Sequence, residues 1–173
     1  MDEQNPYQSP VSTVEAVVVP GDGPQLADRM ARLGAAILDS IIMLTVTVPA
    51  MWFGGYWDVV MRAAMSGTRV ALGTTLLWGL IGFCIFLLIQ GYPLHATGQT
   101  WGKRLAGVKI VDLDGRKPDF LRLLLQRYVP VQLASLVPFI GNILVLVNVL
   151  FIFRQDRRCL HDLIAGTRVV PAR

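Results

Sequence analysis

The chain has 173 residues, enough for one domain, and 53% of them are hydrophobic while only 16% are charged. Soluble domains carry about a quarter charged residues, so this composition excludes an ordinary soluble protein and indicates an integral membrane protein in a lipid bilayer. The formal net charge is +4. Because the basic residues flank apolar runs, we interpret them as topology signals and lipid headgroup contacts and not as a nucleic-acid-binding surface.

The first 25 residues are polar and rich in proline, with the stretches Asn5-Pro-Tyr-Gln-Ser-Pro10 and Pro20-Gly-Asp-Gly-Pro24. They lack the basic start and apolar core of a signal peptide, and we predict a disordered cytoplasmic tail over residues 1–25. The membrane domain then covers residues 26–171. Its first helix is predicted from Leu26 to Phe53, with an apolar span of about 21 residues, long enough to cross a membrane.

A short polar loop, Gly54 to Arg69, leads to a second predicted span from Val70 to Tyr92. The chain then returns to water over residues 91–118. Alternating residues at Val108–Ile110 and the Asp114-Gly115 turn signal predict a β-hairpin there, with Gly166–Val170 as a third strand that could pair with Val108–Val111.

The remaining apolar segments predict a helical hairpin. An amphipathic helix is expected from Phe120 to Val137, bent at Pro130, followed by a turn at Pro138–Gly141 and an apolar run from Ile140 to Phe153. That run gives about 21 Å of helix, short of the roughly 30 Å hydrocarbon core. A single long third span is the alternative, but it explains the turn and the basic tail poorly.

We therefore predict an all-α polytopic membrane protein with two transmembrane helices, a third/fourth-helix hairpin and a small cytoplasmic β-hairpin element. The loop after the second span and the C-terminal tail are rich in Lys and Arg, so both are expected to be cytoplasmic, as is the N-terminus. We expect a multi-pass protein of the plasma (inner) membrane. Four short helices are few for a complete pathway, so a homo-oligomer is expected.

One acid, Asp39, lies inside the first apolar span, two helical turns and roughly 10 Å from Arg32. A carboxylate in apolar surroundings is costly unless it is paired, hydrated or protonated. Asp39 is therefore a candidate proton or cation site, and the alternative is a buried ion pair with Arg32 or Arg127 that fixes helix packing. Arg32, at the helix entrance, could equally be a snorkelling residue that sets topology.

A second acid, Asp162, follows the last apolar segment. It could serve as a cytoplasmic ion-entry acid, or as a capping acid that bonds to the backbone near Lys103 and Arg104. His161 beside it could relay protons, or could be an ordinary structural histidine. No metal-ligand spacing, cofactor motif or hydrolase signature is present in the sequence, so we expect neither an enzyme nor a bound metal or cofactor.

Four stretches resemble the RDD membrane protein family: Arg32-Leu-Gly-Ala-Ala-Ile-Leu-Asp39, Gly98-Gln-Thr-Trp-Gly-Lys-Arg104, Gly107-Val-Lys-Ile-Val-Asp-Leu-Asp-Gly115 and His161-Asp-Leu-Ile-Ala-Gly-Thr-Arg-Val-Val170. The resemblance covers about residues 27–170. It implies that Arg32, Asp39 and Asp162 are the Arg, Asp and Asp that give the family its name. It also implies transport, with sodium–proton exchange in some members.

From these observations we expect a transporter that exchanges monovalent cations or protons through Asp39, with Arg32 and Asp162 as further site residues and Arg127 and His161 as supporting charge partners. The alternative is a non-transporting membrane module that binds a partner or supports assembly. A water-filled cleft that reaches Asp39 would favour transport, whereas an acid sealed by arginine in a dry bundle would favour the module.

Overall fold

The computed structural model describes residues 26–135, 140–154 and 156–172. The predicted disordered tail over residues 1–25 lies outside the described residues, as do residues 138 and 139 of the predicted turn at 138–141, whereas residues 140 and 141 begin a helix. The helices in chain order are α1 (Arg29–Phe53), α2 (Tyr56–Met65), α3 (Leu72–Thr97), α4 (Trp101–Leu105), α5 (Phe120–Leu123), α6 (Val129–Ser135), α7 (Ile140–Leu150) and α8 (Leu160–Ala165). Two strands, β1 (Val108–Asp112) and β2 (Thr167–Pro171), complete the described part of the fold.

Helices α1 and α3 are long and apolar enough to cross a membrane. They contain 25 and 26 residues, about 38 Å of helix against a hydrocarbon core of about 30 Å. Large apolar side chains such as Leu80 and Leu88 are exposed along α3, an arrangement that suits lipid and not water. The two predicted spans are thus confirmed as helices of spanning length, although α3 continues past its predicted end at Tyr92.

The loop between the two spans differs from the prediction, because residues 56–65 form helix α2. Asp58 lies in its first turn and Arg62 in its last, so both charges complement the helix dipole. The ring of Tyr56 packs on that of Trp78 in α3, with ring centroids 5.2 Å apart. This contact joins α2 to the N-terminal part of the second span.

The two strands form one antiparallel sheet, in which Ile110 is opposite Val169. The predicted pairing of the C-terminal strand with Val108–Val111 is confirmed. The predicted β-hairpin over residues 106–118 is wrong, because no second strand follows the tight turn at Gly115. Pro118 has no backbone N–H to donate to a ladder, and the chain continues into α5.

Residues 120–135 form a helix interrupted by a π-helical turn at Leu124–Tyr128. Pro130 cannot donate a hydrogen bond to the carbonyl of Gln126, four residues earlier, and the π-helical turn directly precedes it. The predicted distortion therefore takes the form of a π-helical turn that includes Arg127, whose side chain is buried. Helix α6 packs against α7, as the predicted hairpin requires.

The buried apolar core lies where α1 begins, α3 ends and the sheet packs against them. Its members come from every one of these elements: Ala27, Ala35, Leu94, Val108, Ile110, Leu123 and Val169. This core brings the starts and ends of distant segments together and so positions the polar side chains described next.

Candidate functional site

The most buried charged group in the described chain is Asp162, whose side chain has no solvent exposure. Arg32 from α1 donates to its Oδ2 at 2.6 Å, and Arg127 from the π-helical turn donates to its Oδ1. The backbone N–H of Cys159 donates to Oδ2 at 3.1 Å, so Asp162 also caps its own helix, α8. One carboxylate thereby joins α1, the π-helical turn and α8.

The charges around Asp162 keep it ionised. Burial by itself would raise the pKa of Asp162, but the guanidinium of Arg127, that of Arg32 and the Cys159 amide hold that pKa well below its usual range. Thr167 at the start of β2 accepts a hydrogen bond from Arg127 at 2.8 Å. The cluster therefore contains two cations and one anion in a buried site, and it carries an excess positive charge.

His161 is bound to this cluster but is neutral near pH 7. Burial, and then the positive charge of Arg127, lowers the pKa of His161 to about 3. Its backbone N–H and its Nδ1 both bond to the Oδ1 of Asn148, at 3.0 and 2.7 Å. The side chain is therefore held by α7 in its uncharged form, which disfavours the predicted proton relay near neutral pH.

Three potential metal ligands, Cys159, His161 and Asp162, lie within 4.8 Å of one another. Their chemistry does not suit a metal. Burial, and then the negative charge of Asp162, raises the pKa of the Cys159 thiol, and a metal needs the thiolate. Asp162 is already neutralised by two guanidinium groups, whose charge would repel a cation.

Asp39 occupies a different network, between α1 and α4. Gln90 of α3 donates to its Oδ1 at 2.9 Å, and the backbone N–H of Gly102 donates to the same atom at 2.8 Å. Thr100 donates its hydroxyl to Oδ2, and Lys103 Nζ lies 3.6 Å from that oxygen. The carboxylate is thus surrounded by four donors and joined to one cation.

Gly102 is required for this close approach of α4 to α1. A Cβ at position 102 would lie 2.7 Å from the backbone nitrogen of Asp39 and 2.8 Å from its carboxyl carbon, and would also overlap the carbonyl oxygen of Ala35. Gln90 is fixed in turn, because Trp101 donates its backbone N–H to Gln90 Oε1 at 2.9 Å. The Gln90 amide therefore presents its N–H₂ to Asp39.

The predicted ion pair of Asp39 with Arg32 or Arg127 is wrong: both arginines bind Asp162 instead. Arg32 and Asp39 lie two turns apart on α1, and each binds a different element that packs on that helix, α8 for Arg32 and α4 for Asp39. The predicted bond of Asp162 to the backbone near Lys103 and Arg104 is also absent among the described residues. Its capping role is present, but within α8.

Two cavities lie beside these networks and share three lining side chains, Lys103, Arg127 and His161. The larger, about 440 Å³, extends along α1 and α3 past Met43 and Phe83. The smaller, about 170 Å³, extends to the start of α1 and the end of the 3₁₀ turn after α7; its lining includes Arg29, Met30, Ile152 and Phe153. The three shared side chains, which we call the septum, stand between the two spaces.

Comparison with known proteins places this chain in a family. The family model described as "RDD family" matches residues 26–166. The chain belongs to the RDD family. It is 34% identical over 141 residues to the uncharacterized protein YckC of Bacillus subtilis (strain 168), covering 82% of each chain. It is 27% identical over 120 residues to an uncharacterized protein of Haemophilus influenzae, covering 69% of this chain and 73% of that one. No solved structure matches the chain.

The three residues that the resemblance singled out, Arg32, Asp39 and Asp162, thus divide between two networks of this RDD protein. Arg32 and Asp162 bind each other, whereas Asp39 binds Lys103. The sequence analysis missed Gln90, Thr100 and Lys103 as partners of Asp39. A glutamine within the apolar residues of α3 was a usable signal for Gln90, since a polar amide in a membrane span needs a partner.

Proposed function

We propose that this RDD protein is a multi-pass transport protein of the plasma membrane, with Asp39 as the residue that exchanges a proton. The observation that supports this most is the pair of cavities that meet at the septum of Lys103, Arg127 and His161. Two spaces separated by a few charged side chains are the arrangement expected of a gated path, because moving one side chain would join them.

Asp39 itself lines neither cavity, and its connection to the septum is through Lys103. The 3.6 Å separation of Lys103 Nζ and Asp39 Oδ2 is the longest contact around that carboxylate, and Lys103 alone among its partners lines both cavities. Protonation of Asp39 would remove the attraction that holds the ammonium group. Lys103 would then be free to leave the septum, which couples the path to the proton.

The surroundings of Asp39 do not suit a metal cation. Sodium and other hard cations need several oxygen atoms that can act as ligands. Asp39 instead faces the N–H groups of Gln90 and Gly102, the donated hydroxyl of Thr100 and the ammonium of Lys103. Donor hydrogens and a positive charge oppose a second cation, so exchange of sodium at Asp39 is the less supported form of the proposal.

We further propose that the N-terminus and the sheet are cytoplasmic and that the helical hairpin enters the membrane and returns. The β1–β2 pairing supports this, because it holds the basic segment after α3 and the C-terminal tail together. An even number of crossings must then separate them. We also propose that the protein forms a homo-oligomer in the membrane, because its helices are too few for a complete pathway.

The test is proton flux into proteoliposomes that contain a pH-sensitive dye. The full chain, Asp39→Asn and the matched control Asp58→Asn, an acid on α2 away from both networks, are reconstituted at equal amounts and subjected to pH, sodium, potassium and lithium gradients. We expect proton movement with the wild type and with Asp58→Asn, and loss of that movement with Asp39→Asn. Circular dichroism and gel filtration establish that each variant is folded.

A non-transporting module is the second candidate, and one observation favours it. Both carboxylate oxygens of Asp39 accept hydrogen bonds, and the carboxylate packs tightly against Gly102, as expected of a purely structural acid. On that reading wild-type vesicles show no flux above empty ones in any gradient, while Asp39→Asn lowers the unfolding temperature. Flux that Asp39→Asn leaves intact would equally remove Asp39 from the path.

A further inference from the structure

The larger cavity combines a cationic base with apolar walls. Lys103 and Arg127 lie at the base, and Met43, Phe83 and Phe86 are among the residues of the walls. Its volume of about 440 Å³ falls within the range of about 300–1,000 Å³ that small-molecule sites occupy. A space with this division of chemistry matches a ligand that is charged at one end and apolar along the rest.

The charge of the base is positive. In the network of Asp162 two cations, Arg32 and Arg127, share one carboxylate, whereas Lys103 pairs with Asp39 in the other network. His161 is uncharged near pH 7, so it does not change this balance of charge. The cluster therefore holds one positive charge beyond what its acids neutralise, and in apolar surroundings an uncompensated charge attracts a counter-ion strongly.

Tyr128 also lines the same cavity. The hydroxyl of Tyr128 is buried and has no hydrogen-bond partner among the described residues. Its ring packs on Phe86 with centroids 4.8 Å apart, which holds the phenol in place. The hydroxyl has almost no accessible surface, so Tyr128 contributes its ring to the cavity wall and a ligand in the cavity does not reach its hydroxyl.

We propose that the larger cavity binds one anionic amphiphile. Its phosphate or carboxylate headgroup contacts Lys103 and Arg127, and its hydrocarbon chain lies along Met43, Phe83 and Phe86. The binding step does not depend on transport. Only movement of the ligand past the septum would rest on the function proposed above.

Glycines on α3 provide a matched pair of variants that leave every charge in place. Gly82 lines the cavity, and a Cβ built on it meets no atom within 4 Å. Gly82→Phe should therefore fill the cavity without disturbing the backbone. Gly73 on the same helix also has open space at its Cβ and does not line the cavity, so Gly73→Phe is the control.

The experiment is native mass spectrometry of the full chain from mild detergent, with dioleoyl phosphatidic acid, oleate, dioleoyl phosphatidylcholine and inorganic phosphate as separate probes. We expect one phosphatidic acid or one oleate per chain, and whichever binds more tightly identifies the headgroup. Binding should be roughly tenfold or more weaker in Gly82→Phe and unchanged in Gly73→Phe.

Equal binding of phosphatidic acid to Gly82→Phe and Gly73→Phe would place the lipid on the outer surface and overturn the proposal. Phosphatidylcholine that binds as tightly as both anionic probes would overturn recognition of the charge, and full competition by inorganic phosphate would overturn the role of the apolar chain. These measurements need no gradient, so binding and proton flux can succeed or fail independently.

Discussion

At the scale of single residues, Asp162 is the group whose loss should cost most. Asp162→Asn leaves two buried guanidinium groups, those of Arg32 and Arg127, without a counter-charge. Removing one member of a buried ion pair typically costs about 3–5 kcal/mol, so we expect a fall of that order in the free energy of unfolding. Denaturant titration in detergent measures it.

The double variant Asp162→Asn/Arg127→Gln separates the unpaired charge from lost packing. It removes one of the two uncompensated cations. The loss of unfolding free energy in the double variant should therefore be smaller than the sum of the losses in the two single variants. If the losses of unfolding free energy were additive, Arg127 and Asp162 would stabilise the fold independently, and the ion pair between them would contribute nothing.

His161 predicts a dependence of stability on pH. Burial lowers the pKa of His161 to about 3, whereas an unfolded histidine titrates near pH 6.5. Between these values the unfolded chain binds a proton that the folded chain does not, so the stability should decrease as the pH falls below about 6.5. The slope from this one group is at most about 1.4 kcal/mol per pH unit.

Unfolding midpoints at pH 7, 6 and 5 measure this slope. Asp162 should contribute little in this range, because its lowered pKa removes stability only below about pH 4. His161→Gln should therefore have a smaller decrease between pH 7 and pH 5 than the wild type. The same decrease in both proteins would contradict the assignment to His161.

At the scale of elements, the docking of α4 on α1 depends on Gly102. Gly102→Val places carbon atoms against the backbone of Ala35 and Asp39, and backbone cannot move aside as a side-chain end can. We expect α4 to separate from α1, with loss of the Gly102 and Lys103 contacts to Asp39 and destabilisation of roughly 1–3 kcal/mol or more. Thermal unfolding provides the measurement.

Gly34→Val on α1 is the matched control, because a Cβ there meets no atom within 4 Å and the residue is equally helical. It should change the unfolding temperature far less than Gly102→Val. Similar losses in the two variants would attribute the effect to valine in a helix and not to the α1–α4 contact.

The elements themselves show what a sequence specifies. Helices α1 and α3 could be predicted because length and apolar content are local properties, and the pairing of the C-terminal strand with β1 because both have alternating patterns. Helix α2 was not predicted, because a segment of ten residues shows too little helical periodicity to contradict its interpretation as a polar loop. The hairpin partner of β1 was wrong because a turn signal such as Asp114-Gly115 does not require a strand on its far side.

The candidate site was harder to predict than the elements. Arg32, Asp39 and Asp162 could be selected because charge near apolar segments demands a partner. Their partners could not, because α4 and α8 reach α1 only through the tertiary fold. The two acids are 123 positions apart in sequence, and spacing along one helix says nothing about which distant element packs against it.

At the scale of the whole molecule, the fold predicts which segments share one side of the membrane. The turn at Asp114 and the tail at Ala172 flank the two paired strands, so they must lie on the same side. Ser66 lies between α2 and α3, beyond one crossing by α1. It should face the opposite side, and the basic segments place Asp114 and Ala172 in the cytoplasm.

Cysteine labelling with a membrane-impermeant maleimide tests this arrangement in a Cys84→Ser background. Cys159 can remain, because it is buried and its raised thiol pKa slows its reaction. Ser66→Cys should react in intact cells, whereas Asp114→Cys and Ala172→Cys should react only after permeabilisation. Labelling of Ser66→Cys together with Asp114→Cys would mean that α3 does not cross. Opposite labelling of Asp114→Cys and Ala172→Cys would be incompatible with the β1–β2 sheet itself, whose residues Val108 and Val169 line the smaller cavity.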